Sequence, residues 1–296
     1  MKPNNKFRVA GIGELLWDLL PDGKKLGGAP ANFAFHAQAL GAESTIVSSI
    51  GNDIPGAEIQ EYLHKLDLNS NYITINNEKQ TGVVNVTLLD GIPEYEIKSN
   101  VAWDYIIWDQ SFEDLAQSID AVCFGSLAQR SEDSCHTIQK FLKATKTVCL
   151  RVFDINLRQN FFNKKIISDS LDLASVLKLN DEELPVVAEL FSLSGNEDIV
   201  LEKLIDIYKL ELVALTKGNK GSFLKTKNEN SFLEVPKVEV KDTVGAGDSF
   251  TAALIVAKLN GKSLKEMHKA ANELAAFVCS KQGATPKMPK FLINNI

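Results

Sequence analysis

The sequence predicts an α/β fold, a mostly parallel sheet covered by helices on both faces. Three observations carry that prediction. Short apolar runs alternate with helical segments along most of the chain, the pattern of parallel strands buried on both sides. Only one stretch alternates with the period of an exposed antiparallel pair. The third is a glycine-rich turn that opens a long apolar helix late in the chain. At 296 residues, 45% apolar and 24% charged, the chain is long enough for one large domain with a substantial core.

Taken in order, residues 7–13 read as a buried strand and 29–40 as a helix stopped by Gly41. Residues 44–50 form the next strand and 56–66 the next helix. Residues 81–89 and 94–98 alternate with period two around Asp90-Gly91, which predicts a hairpin. It does not fit a parallel sheet and reads as a small β lid over the carboxyl ends of the strands, where open α/β sheets bind ligands. Strands follow at 121–124, 148–153, 176–179 and 212–216, with helices at 131–144, 164–172 and 197–208. The apolar run 250–259 reads as a buried helix. No repeat or long linker divides residues 1–296, so a single domain is expected.

Composition excludes several classes. The net charge is −6 and no basic run is present, which argues against a nucleic-acid surface. No apolar run is long enough for a membrane span, and residues 1–6 lack the apolar core of a signal peptide. Cys123, Cys135, Cys149 and Cys279 show no CxxC spacing and read as free thiols, with a cytoplasmic location expected. Gly11-Ile-Gly13 lacks the third glycine of a dinucleotide fingerprint, and Gly261-Lys-Ser263 lacks the first glycine of a P-loop. The four histidines, at 36, 64, 136 and 268, have no metal-ligand spacing.

Gly245, Ala246 and Gly247 stand directly before Asp248 and the apolar helix. A glycine-rich turn at a helix start presents unpaired N–H groups and the positive end of the helix dipole, an anion site suited to phosphate. Asp248 there reads as a base that takes a proton from an attacking hydroxyl, with the amides of Ala246, Gly247 and Asp248 as donors to the phosphoryl group. The alternative is an ordinary turn with Asp248 as a helix cap.

Asp242-Thr-Val-Gly-Ala-Gly-Asp-Ser-Phe-Thr-Ala-Ala-Leu254 resembles the D-T-x-G-A-G-D signature of the ribokinase-like (pfkB) carbohydrate kinases. Residues 27–42, Gly-Gly-Ala-Pro-Ala-Asn-Phe-Ala-Phe-His-Ala-Gln-Ala-Leu-Gly-Ala, resemble the family's N-terminal signature. The resemblance runs from about residue 9 to 289, and the segments 13–18 and 153–158 look most like fructokinases. It implies a three-layer α/β/α sandwich with a β-sheet lid from about 14–28 and 81–108. It also implies an ATP-dependent kinase making fructose 6-phosphate from D-fructose. Another ketose, a keto-deoxy sugar acid or a nucleoside are the alternative acceptors. A silent sugar or nucleotide sensor on the same fold is disfavoured, since a sensor has no need of Asp248 as a base.

The resemblance also implies roles for particular residues. Asp18, Gly28 and Asn32 match the sugar site; for Asp18 alone a turn residue is the other reading, and for Asn32 a core hydrogen bond. Asp154 and Arg158 lie in a loop expected at substrate or phosphate, or else paired with each other in a salt bridge. Trp103 is expected either to stack on a sugar ring or to anchor the lid. Asn180 and Glu183 resemble the N-x-x-E motif that arranges Mg²⁺, with helix capping as the plain alternative. Thr216, Gly218 and Gly221 resemble a nucleotide loop or close a tight hairpin, and Asn272 and Ala276 match an adenine pocket. K⁺ is implied near Asp242, Thr243, Ser280 and Gly283, and a homodimer through the lid.

Overall fold

The structure, a computed structural model, describes residues 6–20, 23–89 and 92–294. Its strands are β1 (Arg8–Ile12), β2 (Leu16–Leu20), β3 (Gly23–Gly27), β4 (Glu43–Gly51), β5 (Asn69–Asn76), β6 (Gly82–Leu89) and β7 (Ile92–Ile97). Then come β8 (Ala121–Phe124), β9 (Leu150–Asp154), β10 (Val176–Asn180), β11 (Leu212–Thr216), β12 (Ser222–Lys225) and β13 (Asn230–Leu233). The helices are α1 (Ala29–Ala39), α2 (Ile54–Lys65), α3 (Gln110–Ala116), α4 (Glu132–Ala144), α5 (Lys164–Leu173) and α6 (Glu183–Leu190), then α7 (Glu197–Tyr208), α8 (Ala246–Leu259), α9 (Leu264–Cys279) and α10 (Lys290–Asn294).

Nine strands form one sheet in the order β13-β12-β11-β10-β9-β8-β1-β4-β5. From β11 to β5 every pairing is parallel, and β12 and β13 extend the edge antiparallel. Alternation along the strands explains the three layers. Ala10, Val122, Phe153, Leu177 and Val213 face one helical layer, with Ile138, Leu171 and Leu204. Val9, Ala121, Val152, Val176 and Leu212 face the other, with Phe33, Leu254 and Leu274. Phe124 and Phe153 stack in the first layer with centroids 5.1 Å apart; burying each ring contributes about 1.5–3 kcal/mol. This is the expected ribokinase-like sandwich.

The hairpin is half of a larger unit. A second sheet runs β3-β2-β6-β7, with β2 parallel to β6 and antiparallel to β3. Four strands resolve the instability of a lone hairpin. The turn at Asp90-Gly91 lies outside the described residues. Leu15, Trp17 and Leu26 seat this sheet on Ile46, Ile59 and Leu63. Gly82 is obligatory there, because a Cβ would lie 2.2 Å from Trp103 Nε1.

The strands 121–124 and 212–216 and the helix 197–208 fall where expected. The strand β5 and the helices α3 and α6 extend the expected set. β5 is an edge strand with mixed burial, so it lacks the apolar run that marks a central strand.

Candidate active site

The carboxyl ends of β1, β9, β10 and β11 open toward one side, where α8 begins. Gly245 caps α8 in the left-handed region, φ 75°, which glycine adopts without strain. A Cβ there would lie 2.6 Å from Ala284 Cβ. The turn is thereby pressed against the chain after α9. Ser249 N–H donates to Gly245 O, and Ala246 N–H donates to Thr243 O at 3.2 Å. That corrects the expected donor set: the Ala246 amide is occupied within its own turn. Among the described residues no hydrogen bond engages the N–H groups of Gly247 and Asp248. These two amides are the donors left free at the start of α8.

Asp248 is half-buried. Asn32, itself 4% exposed, donates from Nδ2 to Asp248 Oδ2 at 2.7 Å. Burial and the nearby charge of Asp154 push the Asp248 carboxyl up to about 6, against the Asn32 hydrogen bond and the charges of Lys178 and Arg158. A base tuned toward neutrality is what proton abstraction from an alcohol favours. Asn32 reaches this position because α1 crosses β1 closely; a Cβ on Gly11 would lie 2.0 Å from Pro30 O.

Gly28 caps α1 at φ 110°, and a Cβ there would strike Glu14 O at 2.3 Å. Glu14 is 2% exposed. Its Oε1 accepts from Ala29 N–H at 3.2 Å, and Oε2 is buried without a partner. Burial, against two backbone hydrogen bonds, raises its carboxyl to about 7. Asp18 sits on β2 opposite Lys25, and a Cβ on Gly27 would press on its Oδ2 at 2.4 Å. Burial raises its carboxyl to about 6, opposed by Arg158 and Lys25.

Other expected residues are placed differently. Asp154 is 3% exposed, and both oxygens are taken: Oδ1 by Lys178 Nζ at 3.0 Å, Oδ2 by Thr251 Oγ1 at 2.8 Å. It braces the start of α8 and presents neither oxygen to a sugar. Arg158 is exposed, donates to Leu157 O at 3.1 Å and makes no salt bridge to Asp154. Trp103 is fully buried, with the Arg130 guanidinium 4.0 Å over its ring and Asp104 paired to Arg130 at 2.7 Å. Its indole edge packs against Gly82 of the small sheet.

Asn180 and Glu183 cap α6 reciprocally. Asn180 Oδ1 accepts from Glu183 N–H at 2.8 Å, and Glu183 takes the amides of Asn180 at 2.8 Å and Leu157 at 3.0 Å. Burial raises the Glu183 carboxyl, against the charge of Lys178. Gly221, at φ 109°, would place a Cβ 2.5 Å from Leu233 O, and Lys217 N–H donates to Gly221 O; the loop closes a hairpin. Thr216 lies at its start, and the Cβ position of Gly218 meets open space. Asn272 is 6% exposed, accepting from Ser222 Oγ at 2.6 Å and donating to Glu234 O at 3.4 Å. Its amide ties α9 to β12, and Ala276 is buried one turn later. Asp242 Oδ2 accepts from Gly283 N–H at 2.9 Å and lies 3.7 Å from Lys25 Nζ, so the segments around Thr243 and Ser280 do meet.

Sequence reading missed Glu14, Lys178 and Thr251 as members of this cluster. Lys178 left a legible signal, a cation inside the apolar run 176–179.

The sandwich with a glycine-opened helix and a tuned carboxylate at the carboxyl ends of its strands defines a ribokinase-like small-molecule kinase. The chain belongs to the pfkB family of carbohydrate kinases, whose signature matches residues 22–290. An uncharacterized sugar kinase of Pyrococcus horikoshii is 33% identical over 308 residues, covering 96% of this chain and 94% of its own. Its crystal structure matches with TM-score 0.81 over 94% of this chain and 93% of that one, and it has also been solved with ATP. Fructokinase-2 of Solanum lycopersicum is 28% identical over 310 residues, covering 95% and 93%. A Vibrio cholerae fructokinase solved with fructose, ADP and calcium shares the fold, with TM-score 0.82 at 24% identity over 97% and 98%.

Proposed function

We propose that this carbohydrate kinase transfers the γ-phosphoryl group of ATP to the 6-hydroxyl of D-fructose. The observation that carries the reading is Asp248, held by Asn32 beside the free amides of Gly247 and Asp248 itself. The sugar hydroxyl gives its proton to the Asp248 carboxylate as its oxygen bonds to the γ-phosphorus. The bond to the bridging oxygen breaks, and its electron pair leaves with ADP. The two amides and the α8 dipole stabilise charge on the group in transit. Asp18 and Gly28 form the floor that orients the sugar. The fructokinase relative and the segments 13–18 and 153–158 support fructose.

Asn180 and Glu183 are the residues that would hold Mg²⁺ brought by the nucleotide, which would supply neutralisation of phosphate charge. Among the described residues no three acidic, histidine or cysteine side chains converge on a metal, and the Glu183 oxygens already accept backbone N–H groups. Asn180 and Glu183 therefore fit contact through water.

A second reading is favoured by Arg158, whose exposed guanidinium donates among the described residues to its neighbour's carbonyl alone. It suits the carboxylate of a keto-deoxy sugar acid. ADP release measured across hexoses, ketoses, sugar acids and nucleosides separates the two. No turnover with fructose, and turnover with another sugar, removes the fructose assignment and keeps the kinase.

Asp18→Ala is expected to raise KM for the sugar by roughly 10-fold or more, the worth of a charged hydrogen bond, with KM for ATP little changed. Equal effects on both would place Asp18 outside the sugar site.

The small sheet acts as the lid, and among the described residues no further strand pairs with its edges, β3 and β7, which leaves them open to another strand. Exposed Leu19 lies on the same sheet. A homodimer joined through the lids follows, and light scattering that finds a monomer at micromolar concentration would contradict it. K⁺ is proposed at the Asp242 and Gly283 junction, where Lys25 already supplies one positive charge. Replacing K⁺ by Na⁺ should lower kcat; an unchanged rate would leave Lys25 as the cation of that junction.

A further inference from the structure

Lys178 interrupts the apolar run of β10 and is 7% exposed. Burying an ammonium is expensive unless it is paired, and one partner is clear: Nζ donates to Asp154 Oδ1 at 3.0 Å. An ammonium carries three donors, and no other hydrogen bond of Nζ is found among the described residues. Its other surroundings are acidic. Burial disfavours its charge, yet Asp154, Glu183 and Asp248 together hold its pKa above the usual lysine value. Glu14 on the β1–β2 connection, Cys123 on β8 and the Arg158 guanidinium also face this cluster.

The position of the ammonium is specific. A Cβ on Gly247 would lie 2.9 Å from Lys178 Nζ. The cation therefore lies against the turn whose Gly247 and Asp248 amides are unpaired. Gly247 keeps that approach open, and Asp154, gripped from the far side by Thr251, fixes the lysine from behind. A lysine that served only to neutralise Asp154 would not need its remaining donors beside an anion site.

Resting on the kinase reading above, we propose that Lys178 is a further catalytic residue, its ammonium contacting the phosphoryl group in transit beside the amides of Gly247 and Asp248. Its charge is matched to a group that gathers negative charge as the bridging bond breaks.

The test compares Lys178→Met, Lys178→Arg and the double variant Asp154→Asn/Lys178→Met with the full-length enzyme. The double variant removes both charges of the buried pair, which proteins tolerate better than one unpaired ion. Lys178→Met and the double variant should lower kcat by roughly 10²–10³-fold, the effect of deleting one donor to a developing charge, with both KM values nearly unchanged. In Lys178→Met, loss of the cation should also move the acid limb of kcat to higher pH, since Lys178 holds the Asp248 carboxyl down. In the double variant the loss of the Asp154 charge, which raises that carboxyl more strongly, should move it to lower pH. Lys178→Arg should recover part of the rate. Near-normal kcat in the folded double variant, or an unmoved acid limb in Lys178→Met, would overturn the proposal, as would variants that lose the fold, which assign Lys178 to the core. If those variants are active while Asp248→Asn is dead, the Lys178 role alone fails. If Asp248→Asn is itself active, the kinase reading of the site fails first.

Discussion

Asp248→Asn should lower kcat by roughly 10²–10⁴-fold, the usual worth of general base catalysis, and leave nucleotide binding nearly unchanged. The substitution keeps the size of the side chain and its place beside Asn32 Nδ2 but cannot take a proton. The wild-type pH profile should carry the same signature. Burial, with the charge of Asp154, raises the Asp248 carboxyl to about 6. The base is ionised above that value, so kcat should be full near neutrality and fall as pH drops through about 6. Steady-state kinetics from pH 5 to 8 would read this limb, and a variant with near-full kcat would remove Asp248 from the role.

Gly245→Ala should be the second most damaging change. The residue holds φ 75°, where a side chain costs about 1–2 kcal/mol. The added methyl would also meet Ala284 at 2.6 Å from its Cβ and 2.7 Å from its Cα. Ala284 has no flexible end to swing aside, so the turn itself must move. That displaces the Gly247 and Asp248 amides, and kcat should fall by roughly 10²–10³-fold, as when an oxyanion donor is lost. Thermal denaturation should show a lower midpoint as well. A lowered midpoint with unchanged kcat would mean that the turn stabilises the fold without serving the phosphoryl group.

Much of the molecule was legible in advance, for local reasons. The apolar runs of β8, β10 and β11 could only be buried strands. The glycine pair before Asp248 marked the start of α8 because few other residues can turn the chain there. The two separated signatures pointed to the family that the whole-length matches then showed.

What the chain could not display was the pairing of distant side chains. Asn32 and Asp248 are 216 residues apart, and only the packing of α1 against β1 and α8 brings them to 2.7 Å. Asp154 was expected at the sugar because its loop resembles one that serves substrates. Its oxygens are instead taken by Lys178 on the neighbouring strand and Thr251 on α8. The same holds for Trp103, which Arg130 covers.

The sequence by itself determined the layers, the order of most elements and the residue types able to carry phosphoryl transfer, because period, turn chemistry and glycine placement are local properties. The tertiary structure alone decided which amides remain free, which carboxylates are tuned upward and which cation stands beside the turn that opens α8. Those are properties of burial and of charges a few ångströms apart in space, and sequence distance does not encode them.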